Sequence, residues 1–358
     1  MSTSSLPIPA RIQRLQPYVC ARNTCKGEKW TYMDANESPV ALNAMQSPFS
    51  DININRYPDP TADELRNTIG DFYGVSIDHV FIGNGCDELI SLCVQAFVRP
   101  AHGVLSIEPT YGMYRVCADT FGTSYWTVPL ATDFSLDIQK LQKHFERSDV
   151  IFLCTPNNPT GTLIPQSVLE WVIEEFSGLI VIDEAYGEFA DANRSPSSIE
   201  YVKRGTKNII VLRTFSKAFG AAGIRLGYGI ADEQIITQLM KVKMPYNVGV
   251  LTQQIGATLW QERAKMEENV RCLQSERIYL EEKINALGCT VFPSVTNFFL
   301  MKPPTDIQSD LLYTQLRDTF GIVLRNFGSK PLLQNMLRIT VGTREQNDNL
   351  VSALSSLL

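Results

Sequence analysis

Lys217 lies in the run Arg213-Thr214-Phe215-Ser216-Lys217-Ala218-Phe219-Gly220, eight residues before Arg225. The segment ahead of it, Asn208-Ile209-Ile210-Val211-Leu212-Arg213, reads as a short buried strand ending in a polar turn. A lysine just past such a strand can have its stem desolvated and its amine aimed into a cleft. Burial then lowers its pKa and leaves a neutral amine able to attack carbonyls. Two earlier segments repeat the layout. Ile151-Phe152-Leu153-Cys154-Thr155 runs into Pro156-Asn157-Asn158-Pro159-Thr160-Gly161, and Leu179-Ile180-Val181-Ile182 runs into Asp183-Glu184-Ala185-Tyr186. An open α/β sheet gathers polar groups in this way, with several apolar strands delivering them at one edge. Gly83-Asn84-Gly85-Cys86-Asp87-Glu88 adds glycines leading into a helix, where backbone N–H groups and the helix dipole favour an anion.

These residues need a sheet to position them. From about residue 50 to 250, apolar strands alternate with helical stretches, the pattern of a mostly parallel sheet. The helix after Gly85 covers residues 87–97, and the next strand covers 103–107, ending at Glu108-Pro109. Residues 1–30 read as an N-terminal arm, since Pro7, Pro9 and Pro17 prevent a long helix. Residues 31–247 form the large unit and 248–358 a smaller α+β unit. In the latter, one long helical stretch over 251–287 precedes short strands at 291–292, 297–301, 321–324 and 336–341.

Composition narrows the function classes. The chain has 358 residues, 44% of them hydrophobic and 20% charged, as in ordinary globular proteins, with a net charge of -6. There is no basic tract, which argues against a nucleic-acid partner. No apolar run approaches the roughly 20 residues of a membrane helix. Residues 1–10 lack a signal-peptide layout, so a cytoplasmic location is expected. The eight cysteines are scattered, several in apolar contexts, and read as buried thiols. Cys20 and Cys25, like Cys86 and Cys93, lack zinc-site spacing, and His79, His102 and His144 share no motif. No metal site and no Ser-His-Asp arrangement is expected. A dinucleotide fingerprint beginning at Gly83 would need glycine at position 88, where Glu88 stands. A DNA-binding regulator would need a basic helix-turn-helix segment, and none is present.

Taken together, the three segments resemble the signature of fold-type I pyridoxal-phosphate aminotransferases. Further motifs are Met33-Asp34-Ala35-Asn36-Glu37-Ser38-Pro39, Arg56-Tyr57-Pro58-Asp59-Pro60, Pro109-Thr110-Tyr111-Gly112-Met113-Tyr114, Gly321-Ile322-Val323-Leu324-Arg325 and Leu337-Arg338-Ile339-Thr340-Val341-Gly342-Thr343-Arg344-Glu345. With these, the chain from about 15 to 345 looks like the histidinol-phosphate aminotransferases. The resemblance implies an α/β fold with a large, mostly parallel seven-stranded sheet and a smaller α+β C-terminal domain. It implies pyridoxal phosphate as cofactor, with Lys217 as the Schiff-base lysine and proton shuttle. Asp183 would pair with the ring nitrogen, Asn158 and Tyr186 would donate to the ring oxygen, and Tyr111 would lie on the ring face. The phosphate cup would comprise Gly85, Cys86, Asp87, Ser216 and Arg225, with Tyr57 reaching in from the neighbouring subunit of a homodimer. Cys86 is a mild departure, because the family usually has a small residue there. Arg338 and Arg325 would grip the anionic groups of histidinol phosphate and of 2-oxoglutarate or glutamate. Tyr18 and Asn36 would line the substrate pocket. The segment Pro245-Tyr246-Asn247-Val248-Gly249 is expected to border the site. Gly249 stands there where relatives often carry a polar residue, which opens the pocket to phenylalanine or tyrosine. Aromatic aminotransferases and threonine-phosphate decarboxylases share much of this frame and stand as alternatives.

Overall fold

The structure is a computed structural model that describes residues 9–15, 29–40, 54–191 and 196–358. Tyr18 lies outside the described residues.

A short strand, β1 (Thr31–Tyr32), precedes the main sheet. The sheet is built from β2 (Val80–Gly83), β3 (Gly103–Glu108), β4 (Ser124–Pro129), β5 (Ser148–Cys154), β6 (Leu179–Asp183), β7 (Ile209–Thr214) and β8 (Gly227–Ala231). Their spatial order is β2-β8-β7-β6-β5-β3-β4. Every pairing from β7 to β4 is parallel, and only β8 runs against its neighbours.

Strands β5, β6 and β7 are buried at every position. This is what a parallel sheet covered on both faces requires, and it explains their nearly continuous apolar sequence. Alternate residues serve two cores. Ile151, Leu153, Ile180, Ile182, Ile209 and Val211 face one, and Val150, Phe152, Leu179, Val181, Ile210 and Leu212 face the other. The helices α1 (Asp63–Tyr73), α2 (Cys86–Phe97) and α3 (Met113–Phe121) supply the cover over these faces.

Beyond the sheet come α4 (Val250–Gln261) and α5 (Arg263–Ala286). The expected single helical stretch over 251–287 is therefore two helices. Helical geometry lapses at Glu262 (φ -86°, ψ 17°). The Arg263 guanidinium turns back over the Phe72 ring, 3.4 Å from its centroid, and lies 4.8 Å from that of Trp260. The break lets α4 and the first turns of α5 bury Trp260, Met266, Val270 and Leu273 beside the sheet. Leu280 and Ile284 enter a separate core.

That core underlies a four-stranded antiparallel sheet in the order β12-β13-β10-β9. Its members are β9 (Thr290–Val291), β10 (Phe298–Lys302), β12 (Arg325–Asn326) and β13 (Leu337–Thr340), with α6 (Arg344–Leu357) closing the chain. Strand β11 (Ile322–Val323) pairs in parallel with β1. Met33 accordingly packs into this C-terminal core, and its carbonyl accepts the N–H of Thr340 (3.0 Å). Residues 31–36 thus lie against the C-terminal unit and are delivered to the C-terminal edge of the large sheet.

Candidate active site

The parallel strands end at a common edge, and the turns that follow them bound a cleft of about 610 Å³. That volume suits a small-molecule site. After β2 comes Gly85, with φ +74°, a left-handed conformation that favours glycine. A Cβ there would meet Arg225 Nη2 at 2.7 Å. The missing side chain therefore lets a guanidinium approach the N-terminus of α2. Gly227 does the same from β8, since a Cβ on it would meet the Cys86 backbone N at 2.7 Å. The Cys86 thiol donates to the Arg213 carbonyl (3.1 Å), and burial pushes its pKa well up. Its side chain is therefore a neutral packing group while its backbone opens the helix.

Arg225 Nη2 pairs with Asp87 Oδ2 at 3.2 Å, and Nη1 donates to Ser216 Oγ at 3.4 Å. Tyr111 Oη donates to Asp87 Oδ1 (2.9 Å), which fixes the Tyr111 ring at the cleft wall. These contacts join the turns after β2, β3 and β7 into one polar cup.

Asp183, at the end of β6, forms the floor and is almost wholly buried. Tyr114 Oη donates to its Oδ2 (2.6 Å) and the Ala185 N–H to its Oδ1 (3.0 Å). Burial raises its pKa, opposed by the Tyr114 and Ala185 hydrogen bonds. Among the described residues no cationic side chain is paired with it, so its charge is available to a cation placed in the cleft.

Lys217, in the turn after β7, is partly buried. Its Nζ donates to the Ala35 carbonyl (3.1 Å) and stands 5.7 Å from the Tyr186 ring centroid. Burial, reinforced by the nearby Arg338 cation, brings its pKa down to about 8. A substantial fraction of the amine is then neutral and nucleophilic near physiological pH. Asn36 Nδ2 (2.9 Å) and Asn158 Nδ2 (3.5 Å) both donate to Tyr186 Oη. Two incoming N–H groups leave the phenolic hydrogen to point at an acceptor in the cleft.

The C-terminal unit supplies the opposite wall. Arg325 and Arg338 are register partners on β12 and β13, so both side chains emerge on one face, and both line the cleft. Arg338 Nη1 donates to Asn158 Oδ1 (2.6 Å) and Nη2 to the Asp34 carbonyl (2.6 Å). It therefore braces the N-terminal segment and the turn after β5 while facing the cleft.

The cleft gathers Asn36, Cys86, Asp87, Tyr111, Asn158, Asp183, Tyr186, Ser216, Lys217, Arg225, Arg325 and Arg338 of the residues expected from the sequence. Tyr57, expected to act in a neighbouring subunit, is 80% exposed and lies outside the cleft of its own chain. One expectation comes out differently within this chain. Residues 245–249 do not line the cleft, because Asn247 Nδ2 holds that segment on the Ile82 carbonyl (3.2 Å) and Glu88 Oε2 (2.8 Å), at the outer side of β2. Sequence reasoning missed Lys330, Phe327, Glu37 and Thr110, which line the cleft. Lys330 sits in the loop between β12 and β13, and the flanking arginines were the only local signal for it. Among the described residues, no group of three or more His, Cys, Asp or Glu could hold a metal ion, and no helix is long and apolar enough to cross a membrane.

Residues 29–354 match the family model described as aminotransferase class I and II. A curated histidinol-phosphate aminotransferase of Bacteroides thetaiotaomicron is 42% identical over 348 residues, 96% of this chain and 95% of that protein. Another, of Christiangramia forsetii, is 36% identical over 349 residues, 96% of this chain and 95% of that protein. The crystal structure of histidinol-phosphate aminotransferase from Sinorhizobium meliloti in complex with pyridoxal-5'-phosphate aligns with a TM-score of 0.89. It is 24% identical, covers 99% of this chain and 100% of that one, and shares the fold.

Proposed function

Since the chain belongs to the class I and II aminotransferases, we propose that it moves the amino group of L-histidinol phosphate to 2-oxoglutarate. The products are imidazole-acetol phosphate and L-glutamate, in L-histidine biosynthesis. The observation that carries this reading is the convergence, in one cleft, of the low-pKa Lys217 amine, the buried Asp183 carboxylate and the Arg325–Arg338 pair.

Pyridoxal phosphate, the cofactor of this reaction, supplies an aldehyde that captures amines and a cationic ring that accepts electron density. The residues present fit it. The glycine-built cup of Gly85, Cys86, Asp87, Ser216 and Arg225 suits a phosphate. Asp183 suits a protonated ring nitrogen, and the Tyr186 hydroxyl with Asn158 suits the ring oxygen. Tyr111 suits the ring face.

Lys217 is the catalytic residue. Its neutral amine accepts the proton from the substrate Cα and returns it elsewhere on the bound molecule, a general acid–base role helped by a pKa near the working pH. Arg338 and Arg325 hold the phosphate of one substrate and the carboxylate of the other, with Lys330 as a third cation beside them. Asn36 orients Tyr186. Tyr18 keeps its substrate-covering role from the family resemblance alone. Because both substrates use one cleft in turn, ping-pong kinetics follow.

The exposed position of Tyr57, outside its own cleft, supports a homodimer with shared sites. A cytoplasmic location goes with charged, phosphorylated substrates. For the internal division we take the arm as residues 1–30 and place the boundary between the two units within α5 rather than at 247/248. Packing supports this, since Leu273 lies in the core beside the large sheet and Leu280 in the C-terminal core.

Titrating the yellow, cofactor-loaded protein with L-histidinol phosphate, without keto acid, tests the reading. The absorbance band is expected to bleach and to return on adding 2-oxoglutarate. A band untouched by histidinol phosphate but bleached by phenylalanine would reassign the substrate. Carbon dioxide released from threonine phosphate would reassign the reaction.

A further inference from the structure

Tyr57 is turned to solvent, yet it is not left to wander. The Tyr246 ring lies flat on it, with centroids 4.3 Å apart and planes within 11°. The two loops that carry these rings are tied together. Lys243 Nζ donates to the carbonyls of Pro60 (2.7 Å), Pro245 (2.9 Å) and Met244 (3.1 Å) and to Asn247 Oδ1 (3.2 Å). Its three N–H bonds are thus shared among four oxygens on the two loops. Gln253 Nε2 bridges the carbonyls of Asp59 (2.9 Å) and Val248 (3.0 Å). Asn247 Nδ2 then anchors the assembly to Glu88 Oε2 (2.8 Å), which also accepts the Asn84 N–H (2.6 Å). The platform therefore rests on the turn that leads into α2.

Ordering an exposed tyrosine and two loops opposes conformational entropy and buries little in return. Such order has a use where the side chain must arrive at a second surface already in its working rotamer, because the entropy is then not lost on contact. We propose that Tyr246 and Lys243 are positioning residues that hold Tyr57 ready for the cofactor phosphate in a second copy of this chain. Tyr246 reaches no group in its own cleft and acts through the ring of Tyr57. The inference rests on the shared-site reading above.

The test measures the pyridoxal-phosphate dissociation constant of the full-length protein by fluorescence titration, together with elution volume and melting temperature. The variants are Tyr57→Phe, Tyr246→Ala, Tyr246→Phe, Lys243→Met and the double variant Tyr57→Phe/Tyr246→Ala. Tyr246→Ala is expected to weaken cofactor binding about 3- to 10-fold, the range of one stacked aromatic pair, with elution and melting unchanged. Tyr246→Phe retains the ring and should bind as the parent does. Lys243→Met should weaken binding in the same direction as Tyr246→Ala. The double variant should be no weaker than Tyr57→Phe. If Tyr57→Phe weakens binding and Tyr246→Ala does not, or if the two losses add in full, the positioning role is overturned while shared sites stand. If Tyr246→Ala elutes as a monomer, the residue is an interface contact and the positioning role is again overturned. If Tyr57→Phe itself binds as the parent does, shared sites and positioning both fall.

Discussion

Lys217 carries a conflict between stability and chemistry. Its folded pKa of about 8 lies below the ordinary lysine value of 10.5. Between these values the unfolded chain binds more protons, so stability rises with pH through that window. Below about 8 the penalty is present in full, at most about 3 kcal/mol. Lys217→Met should therefore abolish turnover yet make the cofactor-free protein more stable at pH 7, with the gap closing above pH 10; urea unfolding at the two pH values would check this. A less stable variant would mean that the amine's bond to Ala35 outweighs its burial. Lys330 tests the anion wall. Lys330→Gln should raise KM for histidinol phosphate about tenfold, the worth of one charge-assisted contact, and leave kcat unchanged. Unphosphorylated L-histidinol should show no difference, and an equal loss for both substrates would remove Lys330 from phosphate recognition.

Strand ends and turns set the next level. Arg213, at the penultimate position of β7, bonds Glu184 (2.7 Å) and Glu188 (2.9 Å), and all three are nearly inaccessible to water. The triad cross-links the turn after β6, which follows Asp183 and bears Tyr186, to the strand whose following turn bears Lys217. Removing only its cation leaves two buried carboxylates facing each other. Arg213→Met should therefore cost about 3–5 kcal/mol, read as a lower urea midpoint. A neutral effect would show that water replaces the guanidinium. Gly85 is constrained differently, by its left-handed φ and by Arg225 standing where a Cβ would point. Gly85→Ala should raise the cofactor dissociation constant about tenfold or more, since the strain falls on the cup itself. Unchanged binding would mean that Arg225 swings away freely.

At the scale of the molecule, the cleft is assembled from three stretches: residues 34–37, the turns of the large sheet, and the loop and strands around Arg325 and Arg338. A ligand in it bridges both units and binds only the folded chain. Pyridoxal phosphate at about 100 times its dissociation constant should therefore add about 2.7 kcal/mol to stability, seen as a raised Tm by calorimetry. An unchanged Tm would mean that the cup does not hold the cofactor.

The amino-acid sequence by itself determined the buried strands ending at Cys154, Asp183 and Thr214 and the polar turns after them. Their signals are local: continuous apolar runs for a doubly covered sheet, then turn residues. It also exposed Lys217, Asp183 and Asn158, because each ends or closely follows such a run, whereas Arg225 comes only from the family resemblance. Only the tertiary structure decided that Asn36 bonds Tyr186, that Arg338 braces Asp34 and Asn158, and that Lys330 joins the arginines. These partners are 150 or more residues apart, or emerge from an irregular loop, and no periodicity encodes them. The same holds for the stack of Tyr57 on Tyr246 and for the break at Glu262. Both depend on which surfaces meet after the sheet has formed, a choice that packing makes and local propensity does not.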